Sequence, residues 1–218
     1  MKSKAQKKLT KDDVKAVLRK LQSTYPNAVT ELDYKSPFEL LISTILAAQC
    51  TDIRVNQITK ELYKKYNKPE DFLSLQEDQL GEFIKSCGLY RNKAKNIIST
   101  CKILVREYGG LVPQERIELL KLPGVGRKTA NVVISNAFGQ AAIAVDTHVY
   151  RVSNRIGLAQ SNNVTDTEEQ LMKSIPKAQW SQAHHWLIYH GRRICKAKRP
   201  LCHDCELTNE CLYFKNLD

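Results

Sequence analysis

The chain has 218 residues, 42% hydrophobic and 26% charged, a balance that fits one large globular domain or two small ones. No apolar run approaches the roughly 20 residues a membrane span requires. The basic start MKSKAQKKLT is not followed by the apolar stretch of a secretory signal, so a cytoplasmic protein is expected. The formal net charge of +11 points to a polyanionic partner, nucleic acid before a membrane surface. The excess is uneven. Residues 1–20 carry Lys2, Lys4, Lys7, Lys8, Lys11, Lys15, Arg19 and Lys20 against Asp12 and Asp13, and RRICKAKR at 192–199 carries five cations and no acid.

In chain order, the dominant period is helical. TKDDVKAVLRKLQSTYP opens on a capping box of Thr10 and Asp13, and Val14, Val17, Leu18 and Leu21 share one apolar face. SPFELLISTILAAQ begins with Ser36 as N-cap and Pro37 at the first helical position. TDIRVNQITKELYKKY places Ile53, Ile58, Leu62 and Tyr66 along a helix. Further helices are predicted over 79–86, 91–108, 114–121, 127–138, 147–156, 167–175 and 180–193. Gly88, Gly109, Gly110, Pro113, Gly124, Gly139, Gly157 and Pro176 separate them. Only AAIAV at 141–145 resembles a strand, and it has no evident partner. The expected fold class is all-α, with a boundary near residues 139–140.

LPGVGRKTANVV at 122–133 reads as a tight turn feeding a helix. Pro123 discourages Leu122 from continuing the preceding helix. Gly124 and Gly126, with Val125 between them, permit positive φ and a close backbone approach. The next helix presents free N–H groups and its positive dipole end, a site suited to a DNA phosphate. Arg127 and Lys128 follow at once. At a helix start, the dipole and partial burial both disfavour an ammonium at Lys128 and favour the neutral amine, a nucleophile toward a sugar carbon. A phosphate-neutralising lysine is the competing role, and these residues alone leave the two open.

Of seven cysteines, Cys50, Cys87 and Cys101 stand singly and read as buried free thiols. Cys195, Cys202, Cys205 and Cys211 form C-x6-C-x2-C-x5-C within seventeen residues, a metal-binding arrangement. Four thiolates suit tetrahedral zinc or an iron–sulfur cluster, and spacing does not choose between them. His190 and His203 are further candidate ligands for a zinc site.

The glycine hairpin, VDTHVYRV at 145–152, the four cysteines and AAQCTD near the start together resemble the DNA glycosylases of the endonuclease III family. The resemblance runs across nearly the whole chain. It implies two helical lobes: 30–140 with the helix-hairpin-helix motif, and 1–29 with 141–218 as the iron–sulfur domain, with double-stranded DNA across the cleft. It implies a [4Fe-4S] cluster on the four cysteines, structural or redox-sensing rather than catalytic. Lys196, Lys198 and Arg199 between the first two cysteines then face phosphates, or are ordinary surface charge.

By the same resemblance Lys128 is the nucleophile, where adenine-specific relatives that only remove a base usually have Ser. Lys128 attacks C1′ of a damaged pyrimidine nucleotide, an imine forms, and β-elimination cuts the strand 3′ to the lesion. Asp146, on its own pattern a helix N-cap, assists beside it. Gln49 and Leu89 fill the gap left by the flipped nucleotide; without the family they read as a helix-end amide and a packing leucine. Cys50 stands where the family commonly has a small residue. His148 supports the site or a phosphate, or is simply a packed helical histidine. The expected protein is a monomeric, nucleoid-associated, bifunctional glycosylase/AP lyase for oxidised pyrimidines. A monofunctional mismatch or alkylation glycosylase, which Lys128 argues against, and a non-catalytic iron–sulfur DNA-binding protein are the alternatives.

Overall fold

The computed structural model describes residues 8–217, so Lys2, Lys4 and Lys7 of the basic start lie outside the described residues. Among the described residues there are eleven α-helices, three 3-10 turns and no strand. No helix among them is long and apolar enough to cross a membrane. The chain divides into two compact units, one of Met1–Val29 with Ala141–Asp218 and the other of Thr30–Gln140.

The unit Thr30–Gln140 is built around α2 (Pro37–Leu46), in which every residue from Phe38 to Leu46 is buried. A helix buried on all sides belongs at a centre. Its start is set locally: Ser36 accepts from the Glu39 N–H, and Pro37 occupies the first turn. Against α2 pack α3 (Asp52–Leu62), α6 (Tyr90–Tyr108) and α8 (Arg127–Phe138). The short helices α4 (Pro69–Phe72) and α5 (Glu77–Phe83) lie on α6, and α7 (Arg116–Leu119) lies on α8.

Several elements differ from the sequence reading. In α3 the buried stripe is Val55, Thr59 and Leu62, while Ile53 is 72% exposed and Ile58 and Tyr66 are half-buried. Thr59 can join the core because its hydroxyl returns a hydrogen bond to the Val55 carbonyl, which hides its polarity. Helix α5 starts two residues early, where Gln79 accepts from the Gln76 N–H, and ends at Phe83. Helix α7 is four residues rather than eight, and α10 starts at Val164 because Asn163 caps it. Helix α4, with Pro69 at its start, was not anticipated. AAIAV forms no ladder; residues 142–145 are buried in an extended segment that feeds Asp146.

The other unit joins α1 (Lys11–Thr24), α9 (Thr147–Ile156), α10 (Val164–Ser174) and α11 (Trp180–Arg193) around Val17, Leu21, Val149, Val152, Trp186 and Leu187. The box of Thr10 and Asp13 forms as its sequence indicates. Lys20 Nζ pairs with both carboxylate oxygens of the nearly buried Glu210 at 2.9 and 2.8 Å, tying α1 to the C-terminal segment.

Candidate active site

One face of α6 organises three of the predicted DNA contacts. Leu89, Lys93, Asn96 and Thr100 recur at helical spacing along it. Lys93 is buried, and its ammonium donates to the carbonyls of Leu46 at 2.9 Å and Ala48 at 2.6 Å. It therefore satisfies the open end of α2 and fixes the turn that carries Gln49. Asn96 lies under Gly124, where an added Cβ would come within 3.1 Å of the Asn96 Cβ. Thr100 Oγ1 donates to the Pro123 carbonyl at 2.9 Å. Gln49, Leu89 and the hairpin are thus referenced to one rigid element.

Gln49 and Leu89 both adopt left-handed backbone, at φ 55 and 58, and both are exposed, Leu89 by 59%. Only Arg199 shares that conformation among the described non-glycine residues. Such strain persists where surroundings over-determine it, and it gathers at functional positions. An added Cβ on Gly88 would meet the Gln49 carbonyl oxygen at 3.4 Å, so the two turns adjoin. Leu89 is not a packing leucine here.

In the hairpin, Gly124 has φ +79, a conformation that favours glycine. Gly126 does not need that freedom: its φ is −93, and an added Cβ would meet nothing within 4 Å. Its use is openness. As N-cap of α8 it has no side chain to accept the first-turn N–H groups, whereas Thr10, Ser36, Thr51, Asp146 and Asn163 cap their helices. No cap side chain therefore covers the start of α8, the end of a helix that suits an anion. Val125 is buried and anchors the turn; Arg127 and Lys128 are exposed. The partial burial expected for Lys128 is absent.

In the other unit, Asp146 is the N-cap of α9. Its Oδ1 accepts from the N–H groups of His148 and Val149, both at 2.8 Å, and Oδ2 has no partner among the described residues. His148 is half-buried against Gly191 of α11, and its Nδ1 lies 3.2 Å from Arg151 Nη2.

The same helix grips the cysteine loop. Arg151 donates to the Gly191 and Cys195 carbonyls, and Arg155 donates to the carbonyls of Lys196 at 2.7 Å and Ala197 at 3.0 Å. Arg155 Nη1 also lies 3.6 Å from Cys195 Sγ. Neither arginine was singled out in the sequence. The signal was their i, i+4 spacing in VYRVSNRI.

Cys195, Cys202, Cys205 and Cys211 line one cavity walled by Ile156 and Leu207. His190 also lines it, 3.6 Å from Cys205 Sγ and 3.1 Å from the Tyr25 hydroxyl. Burial lowers His190 to about 4, so it is neutral. His203 is exposed, as are Lys196, Lys198 and Arg199. Among the described residues no three His, Cys, Asp or Glu side chains converge as they do on one metal ion.

Residues 42–177 match the family described as HhH-GPD superfamily base excision DNA repair protein. The chain is 52% identical over 195 residues to endonuclease III of Bacillus subtilis (strain 168), covering 89% of each. The chain belongs to the endonuclease III family. To endonuclease III of Escherichia coli (strain K12) it is 47% identical over 202 residues, covering 93% of this chain and 96% of that one. A solved structure of a trapped endonuclease III–DNA covalent intermediate superposes with TM-score 0.91 at 50% identity, covering 95% of this chain and 98% of that chain. The stretch 42–177 holds Gln49, Leu89, the hairpin, Lys128 and Asp146, and the four cysteines lie beyond it.

Proposed function

We propose that the chain removes oxidised pyrimidines from double-stranded DNA and cuts the strand 3′ to the resulting abasic site through a Schiff base on Lys128. As a member of the endonuclease III family it is a base-excision repair enzyme of the DNA glycosylase/AP lyase class. Structures of endonuclease III in covalent and non-covalent complexes with DNA support DNA as the partner. The observation that carries the nucleophile assignment is the position of Lys128: exposed, in the first turn of α8, behind a glycine cap that has no side chain. A covalent enzyme–DNA intermediate needs a nucleophile, and an amine next to an anion-binding helix start is placed to be one.

The hairpin N–H groups and Arg127 hold backbone phosphates, which position the duplex without reading sequence. C1′ is out of reach inside the stack, so the nucleotide is extruded; Gln49 and the apolar Leu89 occupy the gap. The neutral Lys128 amine attacks C1′. The glycosidic bond breaks, and the base leaves with its electron pair. Asp146 stabilises the positive charge that grows on the sugar, its carboxylate oriented by the two backbone N–H groups that donate to Oδ1. Opening of the sugar ring gives the imine, removal of a C2′ proton expels the 3′ phosphate, and hydrolysis frees the lysine.

Cys195, Cys202, Cys205 and Cys211 are the ligands for a [4Fe-4S] cluster, which when bound supplies a structural and redox-capable cross-link. Four thiols around one cavity, together with membership of the endonuclease III family, support this reading. Arg151 and Arg155 hold the loop that carries the first ligand.

Borohydride reduction in the presence of thymine-glycol DNA tests the reading. The wild-type protein yields a covalent adduct, and Lys128→Ala yields none. Equal yields in the two would remove Lys128 from the reaction.

A further inference from the structure

Cys50 and Cys87 are thirty-seven residues apart, yet their sulfurs approach to 3.6 Å. Each abuts one of the two strained turns: Cys50 follows Gln49, and Cys87 precedes Gly88 and Leu89. Cys50 is partly exposed, whereas Cys87 is buried. These are not two isolated core thiols, as the sequence suggests, but one dithiol shared by two loops.

We propose that Cys50 and Cys87 form a reversible, peroxide-driven disulfide that locks these two turns together. The separation already suits it, since a disulfide requires closing only a further ~1.5 Å. The partial exposure of Cys50 makes it the sulfur that a peroxide reaches. Its sulfur takes one peroxide oxygen, the O–O bond breaks, water leaves, and a sulfenic acid remains. Cys87 then attacks that sulfur. The S–S bond forms, the S–O bond breaks, and the departing hydroxide leaves as water with the Cys87 proton. The two thiols lose two electrons in all, and one peroxide is reduced to two waters. Burial, reinforced by contact with Cys50, pushes the Cys87 thiol up to about 11, which keeps it protonated and slow toward peroxide itself. The Lys93 ammonium and the Arg54 guanidinium act on Cys87 in the opposite sense and favour the thiolate as it attacks.

The modification site rests on the sulfur geometry. Its effect on repair rests on the proposed role of Gln49 and Leu89. Once linked, the two turns keep one spacing and cannot adjust around the flipped nucleotide. The reduced enzyme recovers when a dithiol exchanges the bond open.

The test uses the as-isolated protein with a small excess of hydrogen peroxide, followed by non-reducing peptide mapping and by incision of thymine-glycol DNA. We expect a cross-linked peptide pair containing Cys50 and Cys87, a roughly tenfold fall in incision, and recovery with dithiothreitol. Cys50→Ser and Cys87→Ser should give no such pair and keep their incision under the same treatment, whereas peroxide damage at the four clustered cysteines would strike all three proteins alike. Absence of the pair from oxidised wild type overturns the site. Its presence with unchanged incision overturns the lock. A reduced wild type that does not incise overturns the proposed function instead, while the peptide map still reads the site.

Discussion

The Lys93 ammonium donates to the Ala48 carbonyl across 2.6 Å, joining α6 to the turn that presents Gln49. A buried lysine with two carbonyl acceptors cannot be removed without leaving those acceptors unpaired. Lys93→Met keeps the stem and deletes the donor. It should cost roughly 1–3 kcal/mol in urea unfolding and lower incision of lesion DNA, because the turn before Gln49 loses its reference. Unchanged stability and incision together would show that α6 does not hold that turn.

The two hairpin glycines should behave differently. Gly124→Ala places a side chain at φ +79 and against Asn96, so a loss of about 1–2 kcal/mol in stability is expected. Gly126→Ala meets no atom and no strain. Its stability should stay within about 0.5 kcal/mol of wild type, yet its DNA affinity should fall, since the methyl stands where a phosphate approaches. Binding titrations at matched salt, set beside urea midpoints, check the pair.

Arg155 has one fork on the Lys196 and Ala197 carbonyls and lies close to Cys195 Sγ. Arg155→Ala frees the loop between the first two cysteines. Iron retention, read from iron content and the thiolate–iron absorption band during chelator challenge, should weaken by roughly tenfold or more. Far-UV circular dichroism should stay unchanged. Full iron retention would show that α9 is not needed to hold the ligand loop.

Burial, with His184 beside it, holds His185 at about 3 in the folded chain against 6.5 for the free side chain. Between those values the unfolded chain binds a proton that the folded chain refuses, so this contribution is whole above 6.5 and stability drops as pH falls below it. From pH 6.5 to about pH 5 the loss from this one group should be roughly 1.5 kcal/mol. Urea midpoints of wild type and His185→Gln at the two pH values check it: the variant should lose less on acidification than wild type.

Much of this was legible because its causes are local. Thr10, Ser36 and Asp146 cap helices through neighbours within three residues, and the hairpin announces itself by Pro123 and Gly124. What escaped depends on distant partners. Lys93 answers to carbonyls 47 and 45 residues away, and Arg151 and Arg155 reach across more than 40 residues to the cysteine loop. At Gln49 and Leu89 the left-handed residue is not itself a glycine, so neither position betrays its conformation. Short helices α4 and α7 hold barely one turn each, too little for a period to show. The stripe of α3 was misread because a threonine, not an isoleucine, completes it.

The most direct measurement of the central claim is to locate the trapped sugar. Wild-type protein is reduced with borohydride on thymine-glycol DNA, digested with nuclease and protease, and mapped by mass spectrometry. The sugar remnant is expected on Lys128, in the peptide that begins α8. A remnant on another lysine or on the α-amino group, with Lys128 unmodified, would contradict it.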